Sequence, residues 1–446
     1  MQGMWPTIRD IARPGGVWRA PACPNAGVVS NGGSFTRRAV GALSMGTLLL
    51  ALAACGGKKA QDAGPIVLWE QMDPTEREIL AENIARWTRE HPEEPVTVTH
   101  FGTEDLRTNF QTAALAGGGP DLVYGPADQI GPFSVLGVIR PLDEILEPPF
   151  FAEFLPESFD TLQGHLYAVP DQIGNHLTLV VNRALVPEIP EDADEWLALA
   201  RRLTVDTNGD GNPDQYGLVF DYKEPFWLAP FIGGFGGWVM DASNRPTLDT
   251  PATVDALRFV QEIKTVHRVI PQDCNYQLAD TLFKEGRAAM ILNGPWSWAA
   301  YRQAGIDIAL APIPKMRGGR WPTPMVSAKG YSVNARLEGP ALDRAVRLLR
   351  FLTSNESQAP MAKRLGTLPS RRALYETPEV KDDALLQASL RQVKLGRRMP
   401  VVPEMRAVWD AMRPSFQNVL NGDLTPEEGA SRMQQDALKK IEEMGH

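Results

Sequence analysis

The feature that most constrains the fold is an alternation of strand-like and helix-like segments that starts at Pro65. Residues 65–71 and 94–101 have the pattern of strands, and residues 120–125 form a third, short apolar segment. Residues 75–90 and 103–117 carry apolar side chains at helical spacing, with Thr103 as the predicted N-cap and Gly117 as the predicted end. This order favours an α/β fold with a substantially parallel sheet.

The same kinds of segment return along the rest of the chain. Residues 165–182 have the pattern of two strands joined by a turn, and helices are predicted at 195–203, 253–264, 344–352 and 425–444. A chain of 446 residues is too long for one ordinary domain, so about two are expected. The formal net charge of −9 argues against a nucleic-acid partner, because such proteins rely on basic contacts to phosphates.

The first 54 residues have the organisation of an export signal. Arg37 and Arg38 precede an uncharged run that is too short to span a membrane, and residues 1–36 are interpreted as an over-extended start. The letters LAAC at 52–55 resemble a lipobox, which implies that Cys55 becomes the lipidated first residue of the mature chain. Residues 55–64 are then a flexible tether, and Cys274 is the one free thiol left.

Four stretches together resemble bacterial extracellular solute-binding proteins of the maltose-binding type. They are residues 117–142, 166–186, 282–319 and 398–430, and the third contains the specific motif GRAAMILNGPWSW. The resemblance implies two α/β lobes joined by a hinge, with the ligand held in the cleft between them. It further implies that lobe one comprises about 62–174 plus 328–378 and that lobe two comprises about 175–327 plus 379–446.

Sugars need two kinds of surface, aromatic rings for their C–H faces and polar or charged groups for their hydroxyls. The resemblance implies such a ligand-binding set in Asp73, Asp128, Asn175, Glu224, Phe226, Trp296, Trp409 and Arg413. Within this set Phe226 stands where the family usually has Tyr, and Asn175 stands where maltose binders have Glu. The implied ligand is a saccharide.

Three neighbouring positions also depart from the maltose-binding pattern. Gly125 replaces a Trp, Gln129 replaces an Arg and Pro74 replaces a Lys, so the lobe-one wall has less charge and less aromatic area. Maltose itself is therefore not implied. Tyr124 is either a substitute for the missing aromatic ring or a core residue, since neighbouring strand residues point to opposite faces.

The segment DTNGDGNPDQYG at 206–217 resembles a calcium loop. It places Asp206, Asn208, Asp210, Asn212 (through its backbone) and Asp214 at ligand positions of an EF-hand loop, with glycine at the sixth position. The twelfth position is Gly217, which has no carboxylate, and the following residues are predicted as a strand. We expect a structural Ca²⁺ that braces the segment leading to Glu224 and Phe226; the alternative is a turn rich in Asp and Asn without a metal.

The resemblance implies the substrate-binding lipoprotein of an ABC importer, which captures a carbohydrate, most simply an oligosaccharide, by hinge closure and delivers it to the transmembrane permease subunits. We expect an exported monomer held at the periplasmic side or outer face of the cell membrane by its lipid alone. Two alternatives remain open. One is a binder of another solute such as a glycerol phosphodiester or a polyol, and the other is a sensor lipoprotein that presents its ligand to a receptor.

An enzyme is not expected. The sequence has no Ser–His–Asp pattern, no HExxH motif and no nucleophile elbow, and no organic cofactor is implied. Asp128 and Glu224 have the residue types of a glycosidase pair, but both are explained as acceptors for sugar hydroxyls.

Overall fold

Two main β-sheets and one short hairpin organise residues 64–445, the part of the chain that a computed structural model describes. Cys55 and the predicted signal peptide lie outside the described residues. The strands are β1 Ile66–Glu70, β2 Val96–His100, β3 Leu122–Pro126, β4 Thr161–Leu162, β5 His165–Leu166, β6 Val169–Asn175, β7 Thr178–Asn182, β8 Met290–Asn293, β9 Ile308–Ala311, β10 Met325–Val333, β11 Leu368–Pro369 and β12 Arg397–Arg398.

Helices cover much of the remaining described chain. They are α1 Pro74–Glu90, α2 Thr103–Leu115, α3 Ile130–Val135, α4 Pro148–Ala152, α5 Ala193–Leu203, α6 Ala229–Gly234, α7 Pro251–Glu262, α8 Tyr276–Lys284, α9 Pro295–Gln303, α10 Gly339–Leu352, α11 Asn355–Leu365, α12 Pro378–Lys381, α13 Ala384–Leu395, α14 Glu404–Asn421 and α15 Pro426–Glu443. Short 3₁₀ turns lie at Ala127–Gln129, Pro156–Ser158, Pro225–Trp227 and Arg372–Glu376, and a π turn lies at Ile263–His267. None of the helices within residues 64–445 is long and apolar enough to cross a membrane.

The larger sheet has the strand order β11-β6-β10-β3-β1-β2, with β12 beside the start of β10. Strand β1 is parallel to β2 and β3, as the sequence predicts, and Leu68 lies opposite both Val98 and Leu122. Strand β10 is antiparallel to β3 and β6. Two parallel strands are usually connected by a crossover helix. No helix lies between β9 of the other sheet and β10.

The smaller sheet has the order β8-β7-β9, and both of its pairings are antiparallel. The parallel arrangement expected from residues 65–125 therefore does not extend to this half of the protein. The strand predicted directly after residue 217 is also absent from the described chain. That segment makes only isolated bridges to the β8 region, Tyr216 with Ala288 and Val219 with Ile291.

Each sheet packs on apolar residues of its own. Leu68, Ile79 and Trp87 belong to the core of the larger sheet and its helices, which we call lobe one. Val180, Trp196 and Trp298 belong to the core of the smaller sheet and its helices, which we call lobe two. The residue boundaries of the two lobes stay predictions. Cys274 is buried in the lobe-two core with its thiol free.

Helix α1 shows how local sequence places residues beside the gap between the lobes. Asp73 and Glu76 form a capping box and Pro74 occupies the first turn, so the helix starts immediately after the end of β1. Its buried face includes Ile79, Leu80 and Trp87. Helix α2 has Gly102 as its N-cap, and the predicted cap Thr103 instead donates its hydroxyl to Gln71 Oε1 at 2.7 Å.

Candidate functional site

A cleft with a volume of about 350 Å³ is lined by residues of both lobes. It brings together all eight residues that the sequence analysis selected for ligand binding: Asp73, Asp128, Asn175, Glu224, Phe226, Trp296, Trp409 and Arg413. Ten further residues line it: Gln71, Thr103, Glu104, Pro126, Pro225, Trp227, Tyr276, Lys329, Met399 and Arg406. The structure thus gathers the predicted residues in one place, and their contact with a ligand stays a prediction.

The lobe-one wall is built at the carboxyl ends of its parallel strands. Asp73 follows β1, Glu104 follows β2 and Asp128 follows β3. Ligands of α/β proteins commonly bind at this edge of a sheet, because the strands end there together and the side chains that follow them converge. The position of these carboxylates is therefore a consequence of the β1–β2–β3 pairing.

Asp73 is half-buried at the start of α1, where its backbone N–H donates to Glu76 Oε2 at 2.9 Å. Burial and the neighbouring charge of Glu76 raise the pKa of Asp73 to about 6. At neutral pH the side chain is largely a carboxylate, which accepts hydrogen bonds from hydroxyl groups.

Asp128 also presents a carboxylate to the cleft. Its Oδ1 is buried and has no hydrogen-bond partner among residues 64–445. Burial, and then the charge of Glu104, raise the pKa of Asp128 to about 6, although Arg107 and Arg406 act in the opposite direction. A buried oxygen without a partner is costly, so an entering hydroxyl that donates to Asp128 would supply the missing bond.

The two substitutions in the lobe-one wall are structurally coupled. A Cβ atom at Gly125 would lie 2.4 Å from Gln129 Oε1, so the side chain of Gln129 occupies the space that a larger residue at 125 would need. Tyr124 does not replace the missing ring, because it is fully buried and donates its hydroxyl to Asp171 Oδ1 at 3.0 Å. Of the two roles considered for Tyr124, the core role is the one observed.

Aromatic side chains belong to the lobe-two wall. Phe226 meets Trp409 edge to face with ring centroids 6.4 Å apart, and Trp227 meets both Phe226 and Tyr276 in the same manner. Trp296 follows β8, and its ring lies so close to Gly294 that a Cβ atom there would be 2.0 Å from the ring. Glycine at 294 is therefore required for this position of Trp296.

Helix α14 presents charged residues and an aromatic residue on one face, because Arg406, Trp409 and Arg413 recur at helical spacing. Arg413 forms a bidentate ion pair with Glu224, with Nε–Oε1 and Nη2–Oε2 distances of 3.0 and 2.9 Å. Arg406 contacts Asp410 on the same helix, with an Nη2–Oδ1 distance of 3.0 Å. Two residues that the sequence analysis assigned separately to the ligand, Glu224 and Arg413, are thus a pair.

Lys329 is a cleft residue that the sequence analysis missed. It lies in the middle of β10, only 7% exposed, and its Nζ is 2.7 Å from Glu76 Oε1. No local pattern marks a single lysine in a buried strand as a cleft residue. Arg406 could have been found, since it precedes Trp409 by three residues, a spacing that places both side chains on one face if the segment is helical.

No residue of the calcium-like loop at 206–217 lines the cleft, and the loop is ordered by its own hydrogen bonds. Asp206 accepts from the backbone of Gly209 at 2.7 Å and of Gly211 at 2.9 Å, and Asp214 accepts from Thr207. Among the described residues no group of three or more His, Cys, Asp or Glu side chains is arranged to hold a metal. A Cβ atom at Gly217 would lie 1.9 Å from Ala200 O, so no carboxylate fits at the twelfth position. Calcium binding stays a prediction.

A family model described as bacterial extracellular solute-binding protein matches residues 84–388. The chain belongs to this family. The family is one of solute-binding proteins, as the sequence resemblance implied. The two-lobed α/β fold of the solute-binding protein is likewise confirmed by comparison with solved structures.

Several named proteins are similar to this solute-binding protein. A maltotriose-binding protein from Pyrococcus abyssi is 27% identical, over 80% of this chain and 78% of its own length. A maltooligosaccharide ABC transporter solute-binding lipoprotein from Streptococcus pneumoniae strain R6 is 24% identical, over 90% and 96%. The maltose/maltodextrin-binding domain from Bdellovibrio bacteriovorus, solved with bound maltotriose, is 42% identical with a TM-score of 0.83, and the match covers 85% of this chain and all of that one.

Proposed function

We propose that this solute-binding protein captures a neutral oligosaccharide in the cleft between its lobes. The observation that carries the proposal is the division of the cleft into two unlike walls. Phe226, Trp296 and Trp409 offer aromatic surface from lobe two, and Asp73 and Asp128 offer acceptors from lobe one. This combination suits a pyranose ring, which has an apolar face and an edge of hydroxyl groups. The saccharide ligands named for its relatives support the same class.

The charges in the cleft favour a neutral ligand over a glycerol phosphodiester. Each of the three cations that line it already has a carboxylate partner: Lys329 has Glu76, Arg406 has Asp410, and Arg413 has Glu224. A phosphate would have to compete with those carboxylates and would also face Asp73 and Asp128. Repulsion by unpaired carboxylates in a partly buried site disfavours an anion. A small polyol would leave most of the aromatic wall uncovered.

We further propose that the lobes close around the saccharide and that the closed protein delivers it, chemically unchanged, to the permease of an ABC importer. Export and lipid attachment at Cys55 are proposed from the lipobox-like sequence, and a relative named as an ABC transporter lipoprotein supports them. A sensor lipoprotein would capture ligand in the same way. Loss of saccharide uptake on deletion of the gene, restored by the wild-type gene but not by a Cys55→Ala version, would favour the anchored importer component.

The ligand class is tested by titration calorimetry of the protein from residue 56 onward. The panel contains maltose, maltotriose, a galactooligosaccharide, a polyol and glycerophosphocholine, the last as a glycerol phosphodiester. We expect heat of binding with at least one oligosaccharide and none with glycerophosphocholine. Binding of glycerophosphocholine alone would overturn the proposal.

A structural calcium ion in the loop at 206–217 is also proposed. The support comes from the sequence, in which Asp206, Asp210 and Asp214 supply carboxylates within one short loop that is closed by the bridge between Val205 and Gln215. Like charges confined to a loop repel one another, and a cation would relieve that repulsion. The ion would stiffen the start of the segment that leads past β8 to Glu224.

A further inference from the structure

Lys329 lines the cleft and also contacts a network of buried polar side chains. Its strand is central in the lobe-one sheet, where Lys329 lies opposite Pro126 of β3 on one side and Gln172 of β6 on the other. Because both neighbouring strands fix its backbone, the residue projects from a rigid position rather than from a loop. Its side chain lines the cleft although the residue is only 7% exposed.

Glu76 forms a buried ion pair with Lys329. The Nζ atom lies 2.7 Å from Oε1 and 3.0 Å from Oε2 of that carboxylate, and Gln172 Nε2 donates to Oε1 at 2.9 Å. The burial of Lys329 by itself would lower its pKa, but Glu76 and then Asp73 raise it, so the side chain is an ammonium at neutral pH. Glu76 is fully buried, and the pair is therefore fixed in place.

An ammonium group has three N–H donors. Within residues 64–445, the acceptors that hydrogen-bond to Nζ are the two oxygens of Glu76. One donor is left, on a side chain that faces the cleft. Asp73 also lines the cleft, and the adjacent Pro74 has no side-chain donor. Lys329 and Lys284 are the cations whose charges act on Asp73, and of these two Lys329 lines the cleft.

We propose that Lys329 is a ligand-binding residue and donates its third N–H to a hydroxyl oxygen of the bound saccharide. The neighbouring hydroxyl would donate to Asp73. A carboxylate and an ammonium side by side suit two adjacent hydroxyls, because one hydroxyl then acts as donor and the other as acceptor. This inference rests on the proposed function, since it assigns a donor within the same saccharide site.

The test uses maltotriose as the probe, or the tightest saccharide of the panel if maltotriose does not bind. Binding is measured for the wild type, Lys329→Met, the double variant Lys329→Met with Glu76→Gln, and the control Lys264→Met. Lys264 is a matched control because it is 8% exposed and lies outside the cleft, over the ring of Tyr222. The double variant removes both members of the buried pair, which guards against misfolding caused by an unpaired Glu76.

We expect both Lys329 variants to bind about tenfold or more weakly and Lys264→Met to bind normally, since a hydrogen bond to a charged group is of that strength. Analogues that each lack one hydroxyl give a second measurement. The folded Lys329 variant should match the wild type only for the analogue that lacks the partner hydroxyl. Wild-type affinity in the folded double variant would overturn the inference and leave the proposed function intact. A wild-type protein that binds no saccharide would instead overturn the proposed function.

Discussion

Glu104 and Arg406 pair across the cleft from helices of opposite lobes, with 3.3 Å between Oε2 and Nη1. Glu104 lies in the first turn of α2, and Arg406 lies near the start of α14, where Asp410 also holds its guanidinium. The pair spans the two lobes, so it forms only when they are close together. It therefore contributes to the closed arrangement and not to the stability of either lobe alone.

Replacing Glu104 by Gln should weaken saccharide binding by no more than about fivefold, because an exposed ion pair contributes about 0.2–1 kcal/mol. The difference between variant and wild type should shrink from 50 mM to 1 M NaCl, since salt screens exposed charges. Titration calorimetry at both salt concentrations measures this difference in affinity. The control is Glu427→Gln, which removes a pair with Arg258 inside lobe two and should leave affinity unchanged. An equal loss of affinity at both salt concentrations would contradict the role of Glu104 in a solvent-exposed ion pair between the lobes.

The aromatic wall should supply much of the binding energy. Trp296→Ala and Trp409→Ala are each expected to weaken saccharide affinity by about 30-fold or more, because buried aromatic residues at the centre of a site contribute about 2 kcal/mol or more. Trp321→Ala is the control, since Trp321 lies outside the cleft beneath Lys315. Native affinity in both cleft variants would refute the site.

Binding should weaken as the pH falls through about 6. Burial raises the pKa of Asp128 to about 6, and protonation there removes a charged acceptor. A pKa raised by folding means that the native state takes up a proton, so the contribution of Asp128 to stability increases as the pH falls from about 6 towards 4. Protonation of Asp128 therefore does not unfold the protein, and unfolding caused by this group does not explain the loss of affinity.

The pH profile is measured by calorimetry between pH 5 and pH 8, with thermal melts of the unliganded protein in parallel. Asp128→Asn should bind more weakly at pH 7.5 and lose part of the pH dependence. Asp241→Asn is the control, because Asp241 lies outside the cleft in a turn with Arg245. A profile that is unchanged in both the Asp128→Asn and Asp73→Asn proteins would count against titration of the cleft carboxylates.

Calcium removal should lower the melting temperature of the protein, and added Ca²⁺ should restore it, because an ion that binds only the native state stabilises it. Calorimetric scans in EGTA and in 1 mM CaCl₂ measure the effect. Asp206→Ala combined with Asp210→Ala should abolish the response to both additions. Identical melting temperatures of the wild type with and without the chelator would reject the ion.

The local sequence predicted those helices and strands whose ends are determined by residues within the segment itself. Helix α1 was expected at 75–90 and lies at Pro74–Glu90, because its apolar spacing and its start are both encoded within the segment. The direction of β10 was not predictable in this way. Its partners β3 and β6 precede it by more than a hundred residues, and the pairing depends on where the chain returns from the other sheet.

The same distinction applies to the cleft. Trp296 and Trp409 were selected through the resemblance to a known family, since nothing in their local sequence joins two residues so far apart. Lys329 and Glu76 are separated by 253 residues, and their pairing required the folded chain. Gly217 has a spatial reason too, because the backbone of Ala200 fills the space where a side chain would lie.

The buried position of Cys274 has a practical consequence. A protein produced from residue 56 onward contains this single thiol, and burial raises its pKa to about 12. Labelling reagents attack the exposed thiolate form, so Cys274 stays unmodified in the folded protein. A cysteine introduced at Glu104 would then be the one site that accepts a maleimide dye. The dye would sit at the rim between the lobes, where its emission would follow ligand capture and make the protein a fluorescent sensor for its own solute.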